Sequence, residues 1–313
     1  MLRSLLITHP VFLEHETGED HPESPERLAA ILRVLDQEEF CYLGRDRAPA
    51  AKEEQLLRAH SADHVRRILA LETTPGHCLQ LDDDTVISAR SVEAALHAAG
   101  GVCAAVDEVA AGRSDNVFCA VRPPGHHAER GRALGFCLFN NVAVGALHAR
   151  DAHGFQRVAA LDFDVHHGNG TQQIFSDEPG TFYASTHQAG LFPYSGTPED
   201  RGAPGGGRLV NVPLPAGSGS DSFRAAYEEV IFPALAEFEP DFLFLSAGFD
   251  GHARDPLGQL RLHVSDFNWI TQRAVQFAHL HCGNRLVSAL EGGYDIDALT
   301  ACVMGHVRVL QHG

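Results

Sequence analysis

The chain has 313 residues, 44% of them hydrophobic and 21% charged, and carries a formal net charge of −17 from 41 acidic against 24 basic side chains. That length suits one large α/β domain with a deep core, and no segment is biased enough in composition to be read as disordered. The negative charge argues against nucleic acid as a direct partner, while a cationic substrate would be drawn to such a surface.

Ser4–Thr8 reads as the first strand, since the apolar stretch around it is too short for a signal peptide. Helical periodicity follows at Pro25–Leu35 and Ser91–Ala111, then a strand at Val117–Val121 and a helix at Asn141–Ala152. Strands are expected at Val158–Phe163 and Thr181–Ser185, a helix at Ser220–Phe238, and a strand at Asp241–Ser246. Helix Ser265–His281, strand Leu286–Leu290 and helix Ile296–His312 complete the chain. Short apolar strands alternating with helices predict a single α/β domain over residues 1–313, a three-layer α/β/α arrangement with a mostly parallel central sheet. The Gly/Pro-rich stretches Pro193–Gly207 and Leu214–Gly219 are too short for interdomain linkers and are assigned to loops at the sheet edge. No apolar run reaches membrane-spanning length. The seven cysteines are odd in number, lack CxxC spacing and lie partly in apolar segments, which reads as reduced thiols in a cytoplasmic protein.

The residues able to do chemistry cluster just beyond strand ends, where open α/β sheets bind ligands. Arg122-Pro123-Pro124-Gly125-His126-His127 follows one strand, Asp164-Val165-His166 the next, and Asp250 and Tyr294 follow two more. In Asp162-Phe163-Asp164-Val165-His166, an extended chain puts Asp162, Asp164 and His166 on one face, where they would repel one another unless a cation bound. Asp164, His166 and Asp250 form a plausible three-ligand set with a fourth position open; taken alone, Asp250 would serve equally as a helix cap. Two carboxylates neutralise a dication and weaken it as a Lewis acid, so activation of water would need help. His126 and His127, after a rigid Pro-Pro-Gly turn, offer it: one neutral imidazole to take and return a proton, and a second kept cationic by a carboxylate, for which Asp162 is a candidate. Tyr294, after two glycines, either donates to a developing oxyanion or packs on the next helix. Gly135-Phe136 and Phe192 belong either to the core or to the walls of a narrow apolar channel.

Six segments taken together resemble the histone deacetylase family within the arginase–deacetylase superfamily, over the chain from about residue 8 onward. They are HPESPERL at 21–28, RPPGHHA at 122–128, GFCLFNN at 135–141, DFDVHHGNGT at 162–171, SAGFD at 246–250 and EGGY at 291–294. The pattern is class II-like, with Asn169 where class I members carry Asp and Glu291 where they carry Gly. The resemblance implies the arginase–deacetylase fold and a catalytic zinc on Asp164, His166 and Asp250. It makes His127 the general base and then acid, His126 an electrostatic partner held by Asp162, Asn169 the group that orients His127, and Tyr294 the residue that polarises the carbonyl. It further implies that the Gly135 carbonyl accepts from the substrate amide and that Phe136 and Phe192 flank the acyl-lysine stem. A structural potassium would use Asp162, Asp164, His166, Ser185 and Thr186, partly through main-chain carbonyls.

The implied reaction is removal of acetyl or another short acyl group from N6-acyl-lysine by metal-activated water, on a protein or peptide. Acetylpolyamine hydrolysis is the alternative. Leu257, in Asp255-Pro256-Leu257-Gly258, replaces the Glu that class II-like polyamine enzymes carry there and so favours acyl-lysine. The binuclear arginase branch is disfavoured by Gly168, which stands where a second carboxylate is needed, and by Asp250-Gly251-His252, which lacks one. A non-catalytic acyl-lysine binder is the alternative from a different class, and the intact His pair and Tyr294 speak against it. Homo-oligomerisation is left open.

Overall fold

In the computed structural model, which describes residues 2–313, eight strands form one sheet. They are β1 (Ser4–Thr8), β2 (Gly44–Arg47), β5 (Asn116–Cys119), β6 (Val158–Asp162), β7 (Thr181–Gln188), β8 (Arg208–Leu214), β9 (Phe242–Ala247) and β10 (Leu286–Leu290). The short antiparallel pair β3 (Leu79–Gln80) and β4 (Val86–Ile87) stands apart. The strand order is β2-β1-β5-β10-β9-β6-β7-β8, and every pairing in it is parallel. Strands such as Val158–Asp162 are buried at every residue, as a parallel sheet with both faces covered requires.

The helices are α1 (Pro25–Leu35), α2 (Glu53–Ala59), α3 (Ala62–Leu69), α4 (Ser91–Ala110), α5 (Asn141–His153), α6 (Asn169–Ser176), α7 (Ser220–Ala225), α8 (Phe232–Phe238), α9 (Val264–His281) and α10 (Ile296–His312). The crossover carrying α5 runs from β5 toward β6, and the one carrying α9 runs back from β9 toward β10. Right-handed crossovers in opposite directions put their helices on opposite faces. Accordingly α2, α4 and α5 pack together in one layer, and α1, α9 and α10 in the other. Local signals fix the ends: Asn140 Oδ1 accepts from Ala143 N–H at the start of α5, and Gly154, at φ +76°, closes it.

The expected strands and long helices are present, with these differences. The two outer strands, β2 and β8, lack the apolar signature of the inner ones. β2 is Gly-Arg-Asp-Arg and fully exposed, and β8 contains Pro213, a composition suited only to sheet edges. The helix expected over Ser220–Phe238 is divided by a wider π-helical stretch at Ala226–Ile231. Pro233 lies at the start of α8 and has no N–H to continue the regular ladder. Short helices α2, α3 and α6 fall in segments for which the sequence pattern predicted no element. Among the described residues no helix is long and apolar enough to cross a membrane. All seven cysteines are unpaired; Cys41 and Cys78 are exposed and the other five buried.

Candidate active site

The four central strands β5, β10, β9 and β6 end side by side, and the segments leaving them meet in one cluster. β5 and β6 are consecutive in the domain's main crossover yet separated by two strands, so the chain turns opposite ways on either side and leaves a crevice.

Asp164, His166 and Asp250 are buried, with their candidate ligand atoms all within 4.8 Å of one another. His166 Nδ1 lies 3.0 Å from Asp164 Oδ1 and 3.1 Å from Asp250 Oδ2. Strand alternation is not what gathers them, because β6 stops at Asp162. Turn hydrogen bonds do so instead: Asp164 N–H donates to Asp162 Oδ1 (3.2 Å) and His166 N–H to Asp164 Oδ1 (2.9 Å). Val165 N–H donates to Asp250 Oδ1 (2.7 Å) and Gly292 N–H to Asp164 Oδ2 (2.8 Å). A Cβ at Gly292 would sit 2.1 Å from Asp250 Oδ2, so only glycine lets this loop close over the carboxylates. With protons alone to balance the charge, burial and the neighbouring Asp164 push Asp250 up to about 8. Burial opposes the charge on His166, but its two carboxylate partners raise it to about 10. Asp164, despite its burial, is held well below the usual carboxylate range by the charged imidazoles it faces. A buried set of two carboxylates and an imidazole is a donor set suited to a divalent cation, which would displace the protons on Asp250 and His166.

The rings of His126 and His127 lie 4.0 Å apart and titrate in opposite directions. His126 Nδ1–H donates to Asp162 Oδ2 at 3.0 Å. Burial works against its charge, yet Asp162, Asp164 and Glu291 lift it well above the ordinary imidazole value. For His127, burial and the neighbouring His126 and His166 push the value well down, and its Nδ1–H donates to Asn169 Oδ1 at 2.8 Å. One imidazole is therefore suited to remain cationic and its neighbour to act as a neutral base. Tyr183 also donates to Asp162 Oδ2 (3.0 Å). Burial, opposed by Arg27 and reinforced by Asp250 and Asp164, keeps the Tyr294 phenol protonated.

Several residues that sequence reasoning did not assign hold this geometry. Glu291 Oε2 accepts from the N–H groups of Gly125 (2.7 Å) and His126 (3.2 Å), fixing the turn that aims the imidazoles. Glu23 binds both Arg27 (2.9 Å) and Arg122 (2.7 Å) in full burial. Arg27 in turn donates to the carbonyls of Gly293 and Glu291, both at 2.6 Å, and stacks 4.9 Å from the Tyr294 ring centre. Asp255 Oδ2 accepts the Tyr294 N–H at 2.7 Å. The motifs at 21–28, 122–128 and 291–294 contain most of these residues, but their pairings, which span up to 266 residues, are visible only in the fold.

Gly135, Phe136, Phe192 and Leu257 line a cavity of about 470 Å³ together with His127, His166 and Tyr294. The aromatics are thus channel walls rather than core. The Phe192 ring lies 5.1 Å from His127, and the Phe136 ring 6.1 Å from Tyr294. Phe136 adopts φ +66°, a conformation costly for a non-glycine residue. Its N–H is held by Thr85 Oγ1 (3.2 Å), on the loop between β3 and β4. Asp83 and Asp84 stand at the rim of the same cavity. Behind the site, Asp162 pairs with Ser185 across β6 and β7, and Thr186 follows. Their side-chain oxygens are engaged, Ser185 Oγ with His187 Nδ1 (2.9 Å) and Thr186 Oγ1 with the Tyr227 hydroxyl (3.2 Å).

A second Asp/His group lies between α4 and α5. Both His148 Nε2 (2.8 Å) and His153 Nε2 (2.7 Å) meet Asp107 Oδ1. Arg58 donates to His148 Nδ1 (2.7 Å), so the His148 proton sits on Nε2 and is spent on Asp107. That is a hydrogen-bonded clamp rather than an open ligand set.

A parallel-sheet α/β domain with a carboxylate–imidazole cluster beneath an apolar channel defines the class, and the comparisons identify the family. The histone deacetylase domain matches residues 21–310, and the chain belongs to that family. It is 39% identical over 312 residues to a histone deacetylase-like amidohydrolase of Pseudomonas aeruginosa, covering 97% of this chain and 81% of that one. It is 38% identical over 296 residues to a probable deacetylase of Archaeoglobus fulgidus, covering 93% and 81%. The crystal structure of the HDA15 HD domain superposes with a TM-score of 0.91 at 33% identity, covering 99% of this chain and 91% of that one.

Proposed function

We propose that this chain is a zinc-dependent deacetylase that hydrolyses the amide of N6-acetyl-lysine, or of another short N6-acyl-lysine, in proteins or peptides. The observation that carries the reading is the adjacent imidazole pair, His126 on the Asp162 carboxylate and His127 on the Asn169 amide, beside a buried Asp/His/Asp set, with His127 and His166 lining an apolar cavity. Asp164, His166 and Asp250 would hold the zinc, which when bound supplies Lewis-acid polarisation. His127 takes a proton from the attacking water through Nε2 and returns it to the departing lysine amine. His126, kept cationic by Asp162, offsets the negative charge that develops, and the Tyr294 hydroxyl donates to the oxyanion. The walls formed by Phe136, Phe192 and Leu257 exclude water along the acyl-lysine stem, with the Gly135 carbonyl as acceptor for the substrate amide. Asp162, Asp164, His166, Ser185 and Thr186, partly through main-chain carbonyls, are the proposed seat of a structural potassium. A second carboxylate ligand at position 168 has no room: a Cβ there would lie 2.3 Å from Asp162 Oδ2, which favours one catalytic metal over two. Seven unpaired thiols favour a reducing cytoplasm.

Acetylpolyamine is the second reading, favoured by Asp83 and Asp84 at the channel rim, which would attract a distal ammonium. The test sets a fluorogenic N6-acetyl-lysine peptide beside acetylspermidine and acetylputrescine, with and without a chelator. Chelator-sensitive turnover of the peptide is expected, with Tyr294→Phe lowering kcat about 10²- to 10³-fold at unchanged zinc content. Clear preference for the polyamines would replace the substrate class. Inert behaviour toward every acyl amide would leave a binding protein.

A further inference from the structure

Glu129 stands two residues after the imidazole pair, at the border of a polar groove that also contains Asn169. Its Oε1 accepts from Asn169 Nδ2 at 2.9 Å, while Asn169 Oδ1 accepts from His127 Nδ1 at 2.8 Å. The Glu129 main chain is pinned: its N–H donates to Arg132 O (2.9 Å), and its carbonyl accepts from His60 Nδ1 (3.0 Å). Among the described residues no ion pair engages its carboxylate; the adjacent Arg130 binds Glu178 instead. The Asn169 amide is therefore the group it serves.

An amide has an accepting end and a donating end, and rotation of the terminal group exchanges them. With Oδ1 toward His127, the imidazole proton stays on Nδ1, and Nε2 keeps the lone pair a base requires. With the amide turned over, its N–H faces Nδ1, the imidazole proton moves to Nε2, and the base is blocked. That second orientation would also point Oδ1 at the Glu129 carboxylate, acceptor against acceptor. An aspartate at position 169 would have no donating end and so no wrong face; the neutral Asn169 creates a problem that Glu129 is placed to solve at 2.9 Å, with the His127 carbonyl a longer second acceptor at 3.4 Å.

We infer that Glu129 is a positioning residue that locks the Asn169 amide and thereby fixes the His127 tautomer with Nε2 free. The inference rests on His127 being the base, as proposed above. The test uses the zinc-loaded full chain labelled with [15N]histidine, with long-range proton–nitrogen correlation to read which His127 nitrogen carries the proton; His127→Asn assigns the signal. The expected result is Nδ1–H in the natural chain and a mixture of both tautomers in Glu129→Ala, with kcat about tenfold lower and KM within about twofold. Adding Asn169→Asp to Glu129→Ala should restore the Nδ1–H form and bring kcat within about threefold of Asn169→Asp alone. Glu129→Lys, which offers a donor in place of the acceptor, should favour the Nε2–H form more strongly, and it carries the test if the alanine variant does not fold. An unchanged tautomer in Glu129→Ala and Glu129→Lys, whatever their kcat, overturns the inference. Full activity in His127→Asn would instead remove the base assignment and leave the tautomer result standing.

Discussion

Asp164, His166 and Asp250 at the sheet edge and Asp107, His148 and His153 between two helices are both sets of close-packed carboxylate and imidazole, yet their surroundings differ. At the sheet edge, main-chain N–H groups of Val165, His166 and Gly292 bind the carboxylates, and no cation other than histidine is paired with them among the described residues. Between the helices, Arg58 commits one imidazole to a fixed tautomer and two N–H donors share a single oxygen. Composition is nearly the same. What sets the chemistry is whether neighbours satisfy the charge or leave it for an ion.

The largest test of this contrast is paired substitution. Asp250→Asn should abolish bound zinc and lower turnover by about 10³-fold or more. Asp107→Asn should leave both zinc content and kcat within about twofold, and cost about 1 kcal/mol of stability through the lost clamp. Equal zinc loss in the two variants would erase the distinction. A second test concerns imidazoles with no carboxylate partner at all. Burial holds His60 and His306 at about 3, below the unfolded value of about 6.5. Above pH 6.5 both are neutral in either state and contribute no pH dependence. As pH falls from 6.5 toward 3, the unfolded chain takes up protons that the folded chain refuses. Stability should therefore drop by about 1.4 kcal/mol per pH unit for each residue, read as a falling midpoint of urea unfolding. A flat midpoint between pH 6.5 and 5 would contradict it. The smallest expected effect is Arg58→Gln. Releasing His148 Nδ1 frees its tautomer, so this variant alone should bind a weak second zinc in equilibrium dialysis.

The inner strands and long helices were legible because β6, β9 and β10 are unbroken apolar runs and the helices repeat at a 3.6-residue period. Edge strands β2 and β8 were not, since Gly-Arg-Asp-Arg and a proline-containing segment look like loops until a neighbour pairs with them. Asp164, His166 and Asp250 were chosen correctly as neighbours, but for an incomplete reason: the alternation argument treats residues 162–166 as strand, whereas turn hydrogen bonds set their positions. Arg27 reaches the carbonyls of Glu291 and Gly293 across most of the chain, Glu23 and Arg122 meet across 99 residues, and Glu129 meets Asn169 across 40. Pattern within a window carries no trace of such pairings; folded geometry does.

The strand order has a consequence for how the molecule is assembled. β10 is the last strand in the chain and inserts between β5 and β9. Without it, the strand order divides into β2-β1-β5 and β9-β6-β7-β8, each with an inner margin of unpaired amides and carbonyls. One fragment bears the imidazole pair and the other the three candidate ligands, so neither has the full set. Closure and competence are therefore expected in the same event, late in synthesis, and a chain cut before Leu286 would present two adhesive margins instead of a site. In pulse-labelled hydrogen exchange, the amides that β10 shields along β5 and β9 should gain protection together with those of β10 itself, and earlier protection of either margin would show that the halves close without it.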